Sequence, residues 1–325
     1  VDPLQTLVDF SEFRSGLWAG LLVTLVVALV GLVVRTAHPK AVPLGLAGPA
    51  FCLAGLTAIG GWLGFDAIWP VPRDLVLGLL ACLLGGEVAA RTRHRGIWGA
   101  FLVAPGALLV SRSEDFGGPG WVVWLVFVGI VLGGAFSADL DRRVARLGLG
   151  PVLLLVSVGG LYATVPDTEL ARPLVGAAIP LALCGWPLRV ARLGAGGTPA
   201  AIALFLWVAA FEGLGRPGSI VGAFGALALL LTEPIGRRLG RGRVVGLAKT
   251  LSIGRLELVV VGAQVVLALY ASRLAGFEED GLAAFLFLVP ALVIGVLAGA
   301  ALGLSSRLRP RPRGAGPPRR ARSQG

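Results

Sequence analysis

Residues 17–34 read LWAGLLVTLVVALVGLVV, and no charge falls between Arg14 and Arg35. As a helix this run rises about 27 Å, close to the ~30 Å hydrocarbon core of a bilayer. Outward from it the pattern repeats, at 43–65, 75–90, 97–111, 121–138, 149–165, 172–188, 198–211, 218–232, 257–274 and 281–304. Eleven apolar stretches predict an all-α polytopic integral membrane protein. A transmembrane barrel would instead show ~10-residue segments of alternating hydropathy. Composition agrees: 56% of residues are hydrophobic, 14% charged, and the mean hydropathy is +0.84. Ordinary soluble domains carry about 25% charged residues.

The charges between the stretches alternate in kind. One alternate set of segments holds Arg35 and Lys40, then Arg91, Arg93 and Arg95, then Arg142, Arg143 and Arg146, then Arg189 and Arg192. It continues through Arg237, Arg238, Arg241, Arg243, Lys249 and Arg255 to seven Arg between Arg307 and Arg322, making 23 of the 29 basic residues. The other set holds one each: Arg14, Arg73, Arg112, Arg172, Arg216 and Arg273. Basic residues mark cytoplasmic loops, so the N-terminus is expected outside and the C-terminus in the cytoplasm. Residues 1–305 read as one multi-pass bundle and 306–325, dense in Arg and Pro, as a disordered cytoplasmic tail. The first stretch reads as a retained span, because Asp2, Asp9 and Glu12 stand where a signal peptide is basic. Arg outnumbers Lys 27 to 2 in a chain rich in Ala, Gly, Val, Leu and Pro, all with GC-rich codons. The expected location is therefore a bacterial cytoplasmic membrane.

The net charge of +11 belongs to these loops and the tail. Anionic lipid headgroups are the expected partners there, and no nucleic acid is. Cys52, Cys82 and Cys184 each lie inside an apolar stretch without a CxxC pair or a nearby His, and His38 and His94 fall in basic segments. No metal and no cofactor are expected. Gly213-Leu-Gly-Arg-Pro-Gly218 has dinucleotide-fingerprint spacing, but it joins two apolar helices where that fingerprint needs a strand before it. Residues 242–250 lack the Gly-Lys-Ser/Thr of a phosphate loop.

Faint repetition is present. Arg143-Val-Ala-Arg-Leu-Gly148 recurs as Arg189-Val-Ala-Arg-Leu-Gly194, and Val175-Gly-Ala177 as Val221-Gly-Ala223, each 46 residues on. Tandem two-helix units would have that length. Gly129 with Gly133, and Gly295 with Gly299 and Gly303, put small residues on one helix face. Such faces let helix backbones approach closely where lipid offers no hydrophobic drive for association. The expectation is packing within the bundle, with a homodimer face as the alternative. The pair 198–211 and 218–232, short and joined by a tight turn, reads either as two full crossings or as a re-entrant hairpin.

Polar groups inside a membrane are costly and so mark candidate sites. Glu87 lies near the cytoplasmic end of its stretch with Arg91 at i+4, and Asp139 with Arg143 and Glu233 with Arg237 repeat that spacing. Such pairs are neighbours on one helix face. Gln264 is mid-stretch, where an amide ties helices together. On the outer side each basic residue stands among acids: Arg112 with Glu114 and Asp115, Arg172 with Asp167 and Glu169, Arg216 with Glu212. The planar guanidinium fork suits a phosphate or carboxylate. These eight residues are the candidate substrate-binding set, and the loop at 162–169 is the most distinctive of them. Stretch 97–111, interrupted by Pro105-Gly106, and the short pair 198–232 are expected to frame an outward-opening polar cavity.

Three function classes fit. A transporter or flippase-like protein for a small or lipid-linked anionic substrate is favoured by the span number and the small loops. A scaffold subunit of an envelope-assembly complex needs no site. A membrane-embedded transferase acting at the outer face on a lipid-linked donor is disfavoured by the short outer loops.

Overall fold

The computed structural model describes residues 11–37, 44–61, 70–92, 94–114, 120–144, 149–165, 169–213, 219–227 and 253–274, with isolated residues between 289 and 297. These hold ten helices: α1 (Ser11–Ala37), α2 (Ala47–Ile59), α3 (Arg73–Arg91), α4 (Arg95–Arg112), α5 (Trp121–Val144), α6 (Leu149–Thr164), α7 (Ala171–Gly185), α8 (Gly197–Glu212), α9 (219–227) and α10 (Ile253–Leu274). No strand occurs among the described residues, where one parallel bridge, Leu44 with Ala191, is the extent of extended pairing. The chain is all-helical, as expected. Among the described residues its helices fall at the predicted positions, and the described residues of 281–304 are helical too.

α8 is the axis. Every residue from Gly197 to Glu212 except Phe211 is buried, so this helix is apolar all round, as a bundle centre must be. α2, α3 and α5 pack against α8, α4 covers α3 and α5, α1 lies on α7 and α2, and α6 joins α7 to α10. Directions alternate. Gly78 of α3 meets Gly106 and Val110 of α4, while Gly85 of the same helix meets Leu102, so α3 and α4 run antiparallel. Gly16 of α1 meets Pro173, Gly20 meets Ala177 and Gly31 meets Val190, so α1 and α7 run parallel. Helices of like parity in the chain thus run together. The Arg-rich segments with Arg35, Arg91, Arg189 and Arg192 collect at one end of the bundle; Glu12, Arg172 and Glu212 collect at the other.

Small residues set the distances. A methyl group on Gly20 would lie 2.8 Å from the Ala177 backbone, and one on Gly16 would overlap the Pro173 carbonyl. Gly129 faces Leu206 and Phe224, and Gly133 faces Ile202. The Gly129–Gly133 face therefore packs inside the bundle, onto α8 and α9, as the sequence predicts. Gly295, Gly299 and Gly303 lie outside the described residues.

Large apolar side chains fill the core, Trp207, Phe51 and Phe205 among them, but many others face outward. Ile97 is 75% exposed, Phe101 and Leu84 68%, and Val33 66%, with Trp18, Leu25 and Leu29 among others exposed along α1. By length and apolar composition together, α1 is the one described helix sufficient to cross a membrane; the other apolar helical segments run 10–17 residues. That differs from the crossings the stretches predict, because several helices stop short of their apolar run. α2 ends at Ile59, followed by Gly60 and Gly61 in a turn, although its stretch runs on to 65. α7 ends at Gly185, and Trp186, which precedes Pro187, is already extended at φ −138°, ψ 129°, because proline disfavours a helical residue before it. The short helices α2, α7 and α8 are also the best buried, while the longer α1, α3 and α4 bear many of the exposed apolar side chains.

One expectation is corrected here. Pro105-Gly106 does not interrupt its stretch: α4 runs through Pro105 without a break, and Gly106 instead admits the Gly78 carbonyl and Cys82. The two copies of Arg-Val-Ala-Arg-Leu-Gly also differ in backbone, for Arg143 and Val144 are helical while Arg189 has φ 53°. In contrast, Val175–Ala177 and Val221–Ala223 are both buried helix.

Candidate functional site

An α-helix begins with four N–H groups that lack an intrahelical acceptor. The residue before α7, Leu170, offers no side-chain cap. The last residue of α8 supplies one. Glu212 is buried, and its Oε1 accepts the N–H of Leu170 in a very short hydrogen bond and that of Ala171 at 3.1 Å. A carboxylate in this position also meets the positive end of the helix dipole. One residue on, Arg172 directs Nη1 to Glu12 Oε2 at 3.7 Å, which ties the start of α7 to the first turn of α1. One Arg and two carboxylates from three helices therefore gather around one helix start.

The start of α8 is held in the same manner from the opposite end. Oε1 of Glu87, from α3, accepts the Gly196 N–H at 3.1 Å. Gly196 leaves no room for a side chain, because a methyl there would overlap the Leu83 carbonyl. Among the described residues Glu87 is not paired with Arg91, contrary to the spacing argument: the acceptor-starved N–H groups of a neighbouring helix outcompete an exposed guanidinium. The side chains of Asp139 and Arg143, and all of Glu233 and Arg237, lie outside the described residues.

Gln264 acts as the tie the sequence predicts. It is fully buried on α10, and its Nε2 donates to Ser157 Oγ of α6 at 2.8 Å and to the Ala226 carbonyl of α9. Ser157 Oγ lies 2.9 Å from both the Leu153 and Ala226 carbonyls. Three helices are joined at mid-length by neutral groups. Other buried hydroxyls, Ser111, Thr164 and Thr198, return to carbonyls three or four residues back in their own helix or turn, a habit of Ser and Thr in helices.

Of the eight predicted site residues, the structure brings Glu212 and Arg172 to one place, with Glu169 exposed just before them. Arg112, exposed, ends α4, and Glu114 follows it half-buried. α4 packs on α3 and α5 and also touches α8. α4 and α8 are therefore neighbours, as the expected framing of a cavity by 97–111 and 198–232 requires, while residues 214–218 and 228–232 lie outside the described residues. Asp115, Asp167 and Arg216 lie outside the described residues. α8 runs from the Glu87 end to the Glu12 end, so 198–211 is a full-length member of the bundle; its partner is described only to residue 227.

The residue missed was Glu12, whose partner lies 160 positions away. Its signal was in plain view, as an acid in the first turn of a helix entering on the same side as Arg172. Among the described residues, no group of His, Cys, Asp and Glu could hold a metal, and the three cysteines are free and buried. No family model and no curated protein matches this chain.

Proposed function

We propose that the chain is a polytopic protein of a bacterial cytoplasmic membrane, with its N-terminus outside and its C-terminus in the cytoplasm. In this reading it works as a transporter or flippase for a small or lipid-linked anionic substrate. The membrane part is supported by the many large apolar side chains that face outward, among them Trp18, Leu84, Ile97 and Phe101, while glycines set close helix contacts inside. Monomers in water rarely expose apolar patches beyond a few hundred Å². Helix ends that stop short are tolerated in a bilayer when protein surrounds them, and the short helices here are the buried ones.

One observation carries the transport reading. Arg172 and the start of α7 form an anion-binding geometry at the predicted outer end, held by the carboxylates of Glu212 and Glu12. An anionic headgroup or sugar phosphate exchanging with these carboxylates would free α8 to move against α7. The test is reconstitution in liposomes with fluorescently tagged phosphatidylglycerol and with tagged phosphatidylcholine. Faster exchange of the anionic lipid between leaflets, lost in Arg172→Gln at unchanged insertion, is expected. No exchange above protein-free liposomes would reject the flippase form.

A second reading has its own support. Gln264, Ser157 and Glu87 are all engaged in ties between helices, as in a rigid scaffold of an envelope-assembly complex. A scaffold would lose stability on Arg172→Gln but would move nothing.

A further inference from the structure

We propose that Gln264, Ser157 and the carbonyls of Ala226 and Leu153 form a binding site for a sodium-sized monovalent cation. In the transport reading above, on which this assignment rests, that cation is the coupling ion. The group stands where α6, α9 and α10 meet. A methyl on Gly160 of α6 would lie 3.0 Å from the Cβ atoms of Ala226 on α9 and Ala268 on α10, so the three helices approach closely there. Gln264 reaches into the junction and is fully buried, while Val265, Val266 and Leu269 of the same helix face outward.

The amide of Gln264 is only half satisfied. Nε2 donates to Ser157 Oγ at 2.8 Å and to the Ala226 carbonyl. Oε1 is buried and has no hydrogen-bond partner, and such an atom in a packed interior calls for a physical reason. Half a turn about the last side-chain bond exchanges Nε2 and Oε1 and moves no carbon. One end of the amide faces the junction in either orientation, so the exchange gives up the two bonds from Nε2. With Oε1 turned inward, four oxygens converge: Oε1, Ser157 Oγ and the two carbonyls. A cation then replaces the N–H donors that held them together. Ion binding exchanges one tie among α6, α9 and α10 for another, and all three helices sense the ion.

Spacing selects the size of the ion. Ser157 Oγ lies 2.9 Å from the Leu153 carbonyl and 2.9 Å from the Ala226 carbonyl. Oxygens so spaced subtend about 70–80° at an ion held at ~2.3–2.6 Å, the angle between neighbours around a calcium-sized hard cation. Charge selects its valence. No carboxylate belongs to the group: α6 and residues 219–227 carry no charged residue, and along α10 the nearest charges are Glu257 and Arg273. Neutral oxygens suit a single positive charge, and sodium is the alkali ion of calcium's size. Backbone carbonyls and neutral side-chain oxygens are ligands that membrane proteins use for such ions.

The experiment follows thermal unfolding of the full chain in detergent, in sodium chloride and in choline chloride of equal ionic strength. Sodium is expected to raise the midpoint, increasingly with the logarithm of its concentration above the dissociation constant, and potassium to raise it less. Ser157→Ala and Gln264→Leu should each lose most of the rise. Gln264→Glu, which adds a charged oxygen, should enlarge it. Thr164→Val removes another buried hydroxyl of α6, one that bonds within its own helix, and should keep the rise. Equal midpoints in sodium and choline would overturn the site. So would a rise unchanged in both Ser157→Ala and Gln264→Glu, or one lost equally in Thr164→Val. The transport reading fails separately: a sodium-specific rise without lipid exchange in liposomes keeps the ion site and rejects its coupling role. Lipid exchange with no sodium response keeps transport and overturns the site.

Discussion

Glu212 and Leu170 lie 42 positions apart, yet the carboxylate that ends α8 accepts the N–H that precedes α7. Two helices that the chain separates by a basic turn are thereby fixed end to start. The bond does three things at once. It satisfies a helix start that has no cap of its own, buries a charge against a dipole of the right sign, and positions Arg172 where Glu12 can meet it.

The contribution of Glu212 is separable. Glu212→Ala leaves the N–H groups of Leu170 and Ala171 without an acceptor in a buried place, at a cost of about 1–3 kcal/mol. Glu212→Gln keeps an oxygen and should cost clearly less. Thermal unfolding in detergent compares them; equal losses would show that charge, rather than hydrogen bonding, holds the junction.

Close approach of α1 and α7 gives a second prediction. Gly20→Leu forces a side chain into the Ala177 backbone and should destabilise by about 1–3 kcal/mol or more. Leu22→Ala, on the exposed face of the same helix, should stay within about 0.5 kcal/mol in detergent. Comparable losses at the two positions would mean that α1 does not pack as described.

Gln264 and Ser157 should be energetically coupled. Gln264→Leu and Ser157→Ala each remove part of one network, so the double variant should lose less than the sum. A coupling of roughly 0.6–1.7 kcal/mol is expected from interhelical hydrogen bonds in membranes. Additive losses measured by thermal unfolding would rule out the tie.

Topology is open to direct test. Reporter fusions active only in the cytoplasm should be active after residue 305 and silent after residue 117. An external signal from the tail would break the alternation of charge on which the orientation rests.

Much of the fold is legible in the chain because helix position and direction follow from the placing of apolar runs and charges. Apolar run length fixes where helices form, and Arg content fixes which ends belong together. The parallel course of α1 and α7 and the antiparallel course of α3 and α4 both follow that parity. The role of Gln264 was readable too, since a mid-helix amide among apolar residues has few other uses. Glu87 was misread because Arg91 is visible in the sequence, whereas the Gly196 N–H, 109 positions away, is not. Pro105 misled for the opposite reason: proline marks a break only when nothing around it holds the helix together.

By itself, then, the sequence determined helix positions, their alternating direction and the segregation of charge, because those depend on local composition and on the polarity of the surroundings. The tertiary structure alone decided which helices touch, that α8 is the buried axis, and that Glu212, Glu12 and Arg172 gather at the start of α7. It also alone brought Gln264 to Ser157 and the Ala226 carbonyl. Those facts depend on where backbones approach closely enough for a glycine to matter, and on which unpaired helix start lies within reach of a carboxylate. Both are distances in space, and separation along the chain does not encode them.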